Sequence, residues 1–145
     1  MKKLTLLAML FLFGPITGYA EVASCSAERS IRVQKQIELV KSWGDAATFY
    51  KNNKTCIDGG LSEEYTNLLA AKLAEPSGIE TLWKETKMQP WFRSVVSIRL
   101  QSETIPLETT EVILQNFKDQ CPRDARSYCR NLSIKIVKSC LACKK

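Results

Sequence analysis

Residues 120–145 read QCPRDARSYCRNLSIKIVKSCLACKK and hold four of the six cysteines: Cys121, Cys129, Cys140 and Cys143. Whether these sulfurs bind a metal, exchange electrons or cross-link the backbone decides the compartment and much of the fold. The chain has no histidine, so a zinc site would need cysteines alone. Such a site wants two closely spaced pairs, and only Cys140-Leu141-Ala142-Cys143 has that spacing. The same tetrapeptide matches the C-x-x-C redox motif. An active dithiol, however, needs a helix N-terminus and a fold that lowers the first thiol's pKa. This one follows a predicted helix or strand, with no βαβ pattern ahead of it. The remaining reading is a set of disulfides in an exported chain.

Geometry narrows their pairing. Pro122 suits the first position of a helix, where its missing N–H costs nothing. In a helix from Pro122 to about Leu141, Cys121 and Cys129 stand roughly 12 Å apart, and Cys129 and Cys140 roughly 16 Å. A disulfide needs Cα atoms within about 7 Å. Cys140–Cys143 is then the one bond that closes within the C-terminal four. Cys121 and Cys129 are left to pair with Cys25 and Cys56, in either order. Two features pull against one continuous helix: Asp124 could cap a later start, looping Cys121 back toward Cys129, and Leu132-Ser133-Ile134-Lys135-Ile136 alternates like a strand.

The N-terminus fits export. Lys2 and Lys3 precede the apolar run LTLLAMLFLF, then Gly14-Pro15, then Gly18-Tyr19-Ala20 with small residues at the −3 and −1 positions of a cleavage site. The run is shorter than the about 20 apolar residues of a spanning helix. Residues 1–20 therefore read as a secretory signal peptide and 21–145 as a single helical domain, expected in the periplasm, with no transmembrane segment. One rival is a lipobox: Val22-Ala23-Ser24-Cys25 would make Cys25 a lipid anchor, although Glu21 interrupts the apolar approach.

Without Lys2 and Lys3 the net charge falls from +6 to +4, and it is unevenly spread. From Lys118 onward eight Lys/Arg face two Asp/Glu, while residues 21–117 carry eleven against thirteen. The basic third suits an anionic lipid, a cell-wall polymer or an acidic protein, or is simply a solvated helix face. No aromatic-basic pattern points to nucleic acid.

The rest reads as short helices. Ser30 is placed to cap Ile31 to Ser42, and Asp45 to cap Ala46 to Lys51. Asn52 to Gly60 is turn-rich. Ser62 with Glu63 and Glu64 suits a helix start, with Tyr65, Leu68, Leu69 and Leu73 at helical spacing and Glu75-Pro76 as the stop. Ser77-Gly78-Ile79-Glu80 matches a capping box. Pro90 begins a helix to about Gln101 and Pro106 begins another, with Leu107, Val112, Ile113, Leu114 and Phe117 as its apolar face. The expected fold is all-α: a disulfide-stapled bundle of about five or six short helices.

A catalytic set is not legible. There is no imidazole for a triad or metal site and no phosphate-binding glycine loop. Asp58 with Glu63 or Glu64 could form a carboxylate pair, but a turn aspartate beside helix-start charges explains them as well. Trp43, Trp83 and Trp91 could line a sugar groove, yet at helical spacing among apolar residues they read as core. An exposed one could anchor a partner. Asn53-Lys54-Thr55 and Asn131-Leu132-Ser133 match the glycosylation sequon, by chance in a chain whose leader looks bacterial. No cofactor and no metal are expected. The charged residues left as candidate partner contacts are Asp58, Glu63 and Glu64 near the turn, and Arg123, Arg126 and Arg130 in the basic third.

Ser42-Trp43-Gly44-Asp45, Tyr50, Cys56-Ile57-Asp58-Gly59, Glu64-Tyr65, Leu68-Leu69, Trp83, Phe92, Cys121-Pro122 and Cys129 together resemble a group of small uncharacterised periplasmic proteins of Gram-negative bacteria. The pattern covers roughly residues 42–134, leaving Cys25, Cys140 and Cys143 outside it. In size, export and helical character the chain is also similar to periplasmic immunity proteins of type VI secretion amidase effectors. That likeness implies a protein inhibitor that plugs a toxin's active-site cleft and can form a homodimer. The expected function is thus a non-catalytic periplasmic protein-binding inhibitor. The alternative is a thiol-disulfide or envelope-stress protein using Cys140 and Cys143.

Overall fold

The computed structural model describes residues 25–140; the signal-peptide reading and Cys143 lie outside them. Seven α-helices and one 3-10 turn, with no strand among the described residues, form the expected all-α bundle, one or two helices richer than expected. They are α1 (Ala27–Ile37), α2 (Trp43–Ile57), α3 (Ser62–Ala74), α4 (Gly78–Met88), α5 (Pro90–Arg99), α6 (Leu107–Asp119), the 3-10 turn Arg123–Ala125, and α7 (Arg126–Ser139). The alternating stretch Leu132–Ile136 is helical: Leu132 and Ile136, four apart, fall on the buried side of α7.

α3 is the central helix. It lies against α6 and also touches α1, α2, α4 and α5. A helix with neighbours on most sides needs apolar residues around most of its circumference. Accordingly Tyr65, Leu69, Ala70 and Leu73 are all in the core. Tyr65 stacks on Phe49 and Tyr50 at 5.9 and 5.6 Å, and its hydroxyl donates to the Ala46 carbonyl at 2.8 Å. That bond satisfies a buried O–H that would otherwise cost about 1–3 kcal/mol. Asn116 of α6 donates to the carbonyls of Leu73 and Ala74 at 3.0 and 3.1 Å, capping the end of α3 from a neighbouring helix.

Several helix starts differ from expectation. Ser26, rather than Ser30, caps α1 by accepting from the Arg29 N–H at 3.2 Å. Ser42 caps α2, and Asp45 is the third helical residue of a reciprocal capping box. α2 then runs through most of the expected loop to Ile57, because Cys56 and Ile57 are fully buried and must face the core. Its one irregular residue is Asn53, whose amide donates to the Phe49 carbonyl at 3.1 Å. Ser62 is the first residue of α3 rather than its cap, and its hydroxyl accepts from Arg99 at 2.6 Å. Ser77 makes no capping bond; Glu80 instead pairs with Lys84 one turn on, at 2.6 Å.

The disulfides are the main correction. Cys25 pairs with Cys56, and Cys121 with Cys129, rather than each C-terminal cysteine with an N-terminal one. The physical reason is the break at Pro122. Its backbone is extended (ψ 146°), the 3-10 turn follows, and α7 begins only at Arg126. Cys121 therefore lies outside the helix, and the reversal brings its Cα to 6.4 Å from that of Cys129. The Cys25 sulfur, bonded to Cys56, is closed to a thioether-linked lipid, which removes the lipid-anchor alternative. Cys140 is also disulfide-bonded; its expected partner Cys143 lies outside the described residues. Bonded cysteines belong to an oxidising compartment. No helix among the described residues is long and apolar enough to cross a membrane.

Candidate functional site: two basic grooves beside α7

The candidate acidic residues sit at the turn between α2 and α3. Asp58 there is engaged internally. It pairs with Arg99 of α5 and accepts from the Tyr50 hydroxyl at 3.3 Å. Arg99 also lies over the Tyr50 ring. Asp58 thus ties the turn to α5 and is not half of an open carboxylate pair with Glu63 or Glu64. Glu63 is exposed, and Glu64 is half-buried with one carboxylate oxygen lacking a hydrogen-bond partner. Among the described residues no three Cys, Asp or Glu side chains converge as metal ligands.

The candidate arginines are all exposed, around the Cys121–Cys129 bridge. Arg126 and Arg130, one helical turn apart on α7, line an open cleft of about 640 Å³ shared with Leu114, Phe117 and Lys118 of α6. Arg123 lies just before them on the 3-10 turn. The ion pairs among the described residues are Glu28–Arg32, Glu80–Lys84, Asp124–Lys87 and Asp58–Arg99. None of the three candidate arginines has a carboxylate partner there. The one acidic side chain in the cleft, Asp119, accepts from Gln115 at 2.6 Å.

On its other side α7 forms a second groove with α5, about 370 Å³ in volume. Arg93, Ser97 and Ile98 supply one wall; Tyr128, Leu132 and Lys135 supply the other. The spacing explains the walls: 93 and 97 lie one turn apart on α5, and 128, 132 and 135 recur at helical period on α7. Lys135 reaches across to the Ser97 hydroxyl at 2.8 Å. The Arg93 guanidinium carbon lies 4.9 Å from the Trp83 ring centre and 5.5 Å from that of Tyr128. Those two rings stack at 5.7 Å. The Trp83 indole N–H donates to Asp124 at 2.9 Å, which Lys87 also engages. These bonds hold Asp124 below the ordinary carboxylate pKa, the Lys87 bond contributing most and the Trp83 bond next. Burial pushes the Tyr128 hydroxyl pKa up, against the opposing charge of Arg93.

Two fully buried polar atoms of residues beside this groove have no hydrogen-bond partner: the Arg93 Nε and the Tyr128 hydroxyl. Unpaired buried donors are uncommon and call for a physical explanation.

The three tryptophans divide. Trp43 is core, donating to the Gly78 carbonyl at 3.0 Å. Trp83 is half-buried beneath Arg93. Trp91 is exposed, stacked on Tyr50 at 6.3 Å in a shallow apolar recess edged by Lys51 and Lys54. Sequence reasoning did not single out Arg93, Tyr128 or Lys135. The available signal was Arg93 itself, a lone cation among apolar residues in PWFRSVVSI.

The class defined by this geometry is an all-α, disulfide-linked bundle with two basic grooves flanking its last helix. No family model, curated protein or solved structure matches the chain.

Proposed function

We propose that this chain is a non-catalytic periplasmic protein-binding protein of the inhibitor or immunity kind, docking an acidic partner on the α5–α7–α6 face. The observation that carries this reading is the set of cations beside α7 without counter-charges. Arg93, Arg126, Arg130 and Lys135 line its two grooves, and none is ion-paired among the described residues. Disulfide-bonded segments surrender less conformational freedom on docking, so more of the contact energy appears as affinity. Ile98, Ile134 and Val137, exposed on α5 and α7, add apolar area.

The thiol-disulfide alternative gains no support from position. Cys140 is the C-cap of α7, at the negative end of the helix dipole, which disfavours a thiolate.

The test is capture from a periplasmic extract by the oxidised protein, comparing wild type with Arg126→Glu/Arg130→Glu. A stoichiometric partner retained by wild type and lost by the charge-reversed variant is expected. Absence of any stoichiometric partner refutes the reading.

A further inference from the structure

We infer that the solvent-facing stripe of α5, formed by Trp91, Val95 and Ile98, seats an amphipathic helix of the partner protein, one whose apolar seam is flanked by acidic residues. That the occupant is a protein rests on the protein-binding reading; the seam and its flanking charges rest on α5 and its neighbours.

α5 carries two apolar faces. Phe92 and Val96, with Leu100 at its C-cap, are fully buried in the core. A helix on the surface of a bundle needs one such face. Trp91, Val95 and Ile98 make a second, at spacings of four and three, and the bundle leaves it open: Trp91 and Ile98 are exposed and Val95 is half-buried. From Trp91 to Ile98 the stripe runs about 10 Å along the helix.

Cations flank the stripe on both sides. Trp91 and Val95 share a recess with Lys51 and Lys54, which are neighbours on the surface of α2. Ile98 shares the α5–α7 groove with Lys135. All three lysines are exposed, and none is ion-paired among the described residues. No acidic residue lines the recess or the groove, and Asp58, which pairs with the last residue of α5, is held there by Arg99. An apolar line between two rows of positive charge is the complement of a helix with apolar a and d positions and acidic e and g positions. A second copy of this chain would set lysines against lysines, which repel. A bilayer takes up a broad apolar face, whereas so narrow a stripe matches the seam between paired helices.

The probe is an N-acetylated, C-amidated three-heptad peptide with leucine at a and d and glutamate at e and g, beside the same peptide carrying lysine at e and g. The readout is the backbone amide resonances of ¹⁵N-labelled oxidised protein, with affinity from the same titration. The glutamate peptide should shift the amides from Trp91 to Ile98, and the lysine peptide should not. Ile98→Asp, at a side chain 66% exposed and outside the core, should weaken binding about tenfold. Lys51→Glu/Lys54→Glu should weaken binding of the glutamate peptide by a similar factor and strengthen that of the lysine peptide. Equal binding of both peptides, undiminished binding by Ile98→Asp, or no shift along α5 overturns the seat. Ile98-dependent sedimentation with phosphatidylglycerol vesicles, or Ile98-dependent dimerisation of the protein alone, overturns it too, because the stripe then has another occupant.

The seat and the broader reading can fail separately. A periplasmic complex unaffected by both Ile98→Asp and Lys51→Glu/Lys54→Glu sinks the seat and leaves partner binding intact. Glutamate-specific binding of the helical peptide by a protein that captures no partner sustains the seat and refutes the broader reading.

Discussion

Replacing Gly78 with alanine sets two effects of opposite sign against each other. Gly78 is the first residue of α4, and glycine inside a helix is less favourable than alanine by about 0.5–1 kcal/mol. Propensity alone predicts that Gly78→Ala stabilises the protein. The contact between α3 and α4 predicts the reverse. A Cβ at Gly78 would lie 2.1 Å from the Lys72 carbonyl oxygen and 3.0 Å from the Leu73 Cα. Both are backbone atoms in the last turn of the central helix, so no flexible side chain can swing aside. The start of α4 must move instead. Its Gly78 carbonyl accepts the Trp43 indole N–H at 3.0 Å, so the shift strains a buried hydrogen bond. Overpacking of this kind costs about 1–3 kcal/mol, and the weakened bond adds about 1 kcal/mol. The clash wins: Gly78→Ala should lose about 1–3 kcal/mol net. Urea unfolding followed by tryptophan fluorescence measures it, with Trp43 reporting on the disturbed contact. Gly60→Ala is the control, since a Cβ there meets nothing within 4 Å and its φ is not positive. That variant should be neutral or gain up to about 1 kcal/mol through the unfolded state. If Gly78→Ala is as stable as wild type with unchanged emission, the close α3–α4 approach is wrong.

Three further outcomes follow from other contacts. In the chain-entropy relation, the bridges spanning 31 and 8 residues contribute about 3.7 and about 2.5 kcal/mol. Cys25→Ala/Cys56→Ala should therefore lower the urea midpoint more than Cys121→Ala/Cys129→Ala does. Asn116→Ala strips the donor from the end of α3 and should cost about 1–3 kcal/mol in the same assay, whereas a surface polar-to-alanine change beside it should cost little. Asp45 and Asp124 have pKa values below the ordinary 3.8 when folded, so their stabilisation is present above that value and drains away as pH falls through the lower folded one. Thermal midpoints should fall below about pH 4, and Asp124→Asn should flatten that fall.

Local rules made much of the bundle legible. Pro90 and Pro106 announced helix starts, Glu75-Pro76 a stop, and the apolar spacing of Tyr65 to Leu73 a buried helix. What failed was whatever depended on partners distant in sequence. The Asn52–Gly60 stretch reads as a loop by composition, yet the core holds Cys56 and Ile57 in α2. Ser62 looks like a cap, but Arg99, 37 residues away, takes its hydroxyl. The disulfide pairing failed on one assumption, a helix continuous through residues 122–126. The 3-10 turn there brings Cys121 back to Cys129, as a cap at Asp124 would have done; Asp124 itself serves Trp83 and Lys87. At the candidate site the basic third of the sequence pointed to α7 and to Arg126 and Arg130. Arg93 escaped notice because its role arises where α4, α5 and α7 meet, which no one-dimensional pattern displays.

Beside that meeting point two grooves are lined by several cations although the net charge is modest. Acidic residues are consumed by architecture: Asp45 closes the α2 cap, Asp58 ties a turn to α5, and Asp124 binds α4 to the start of α7. Each engaged carboxylate neutralises a local donor or cation and leaves less negative potential for solvent. The cations lining the grooves beside α7 have no carboxylate partner among the described residues; Arg93 packs on the Trp83 and Tyr128 rings and Lys135 donates to Ser97. The cations lining these two grooves attract negative charge over about a Debye length and repel positive charge. Trp83 lies between the two uses of charge, accepting a cation on its face and donating its N–H to a carboxylate. Its N–H holds Asp124 beside Lys87 while its face holds Arg93, which has no carboxylate partner among the described residues.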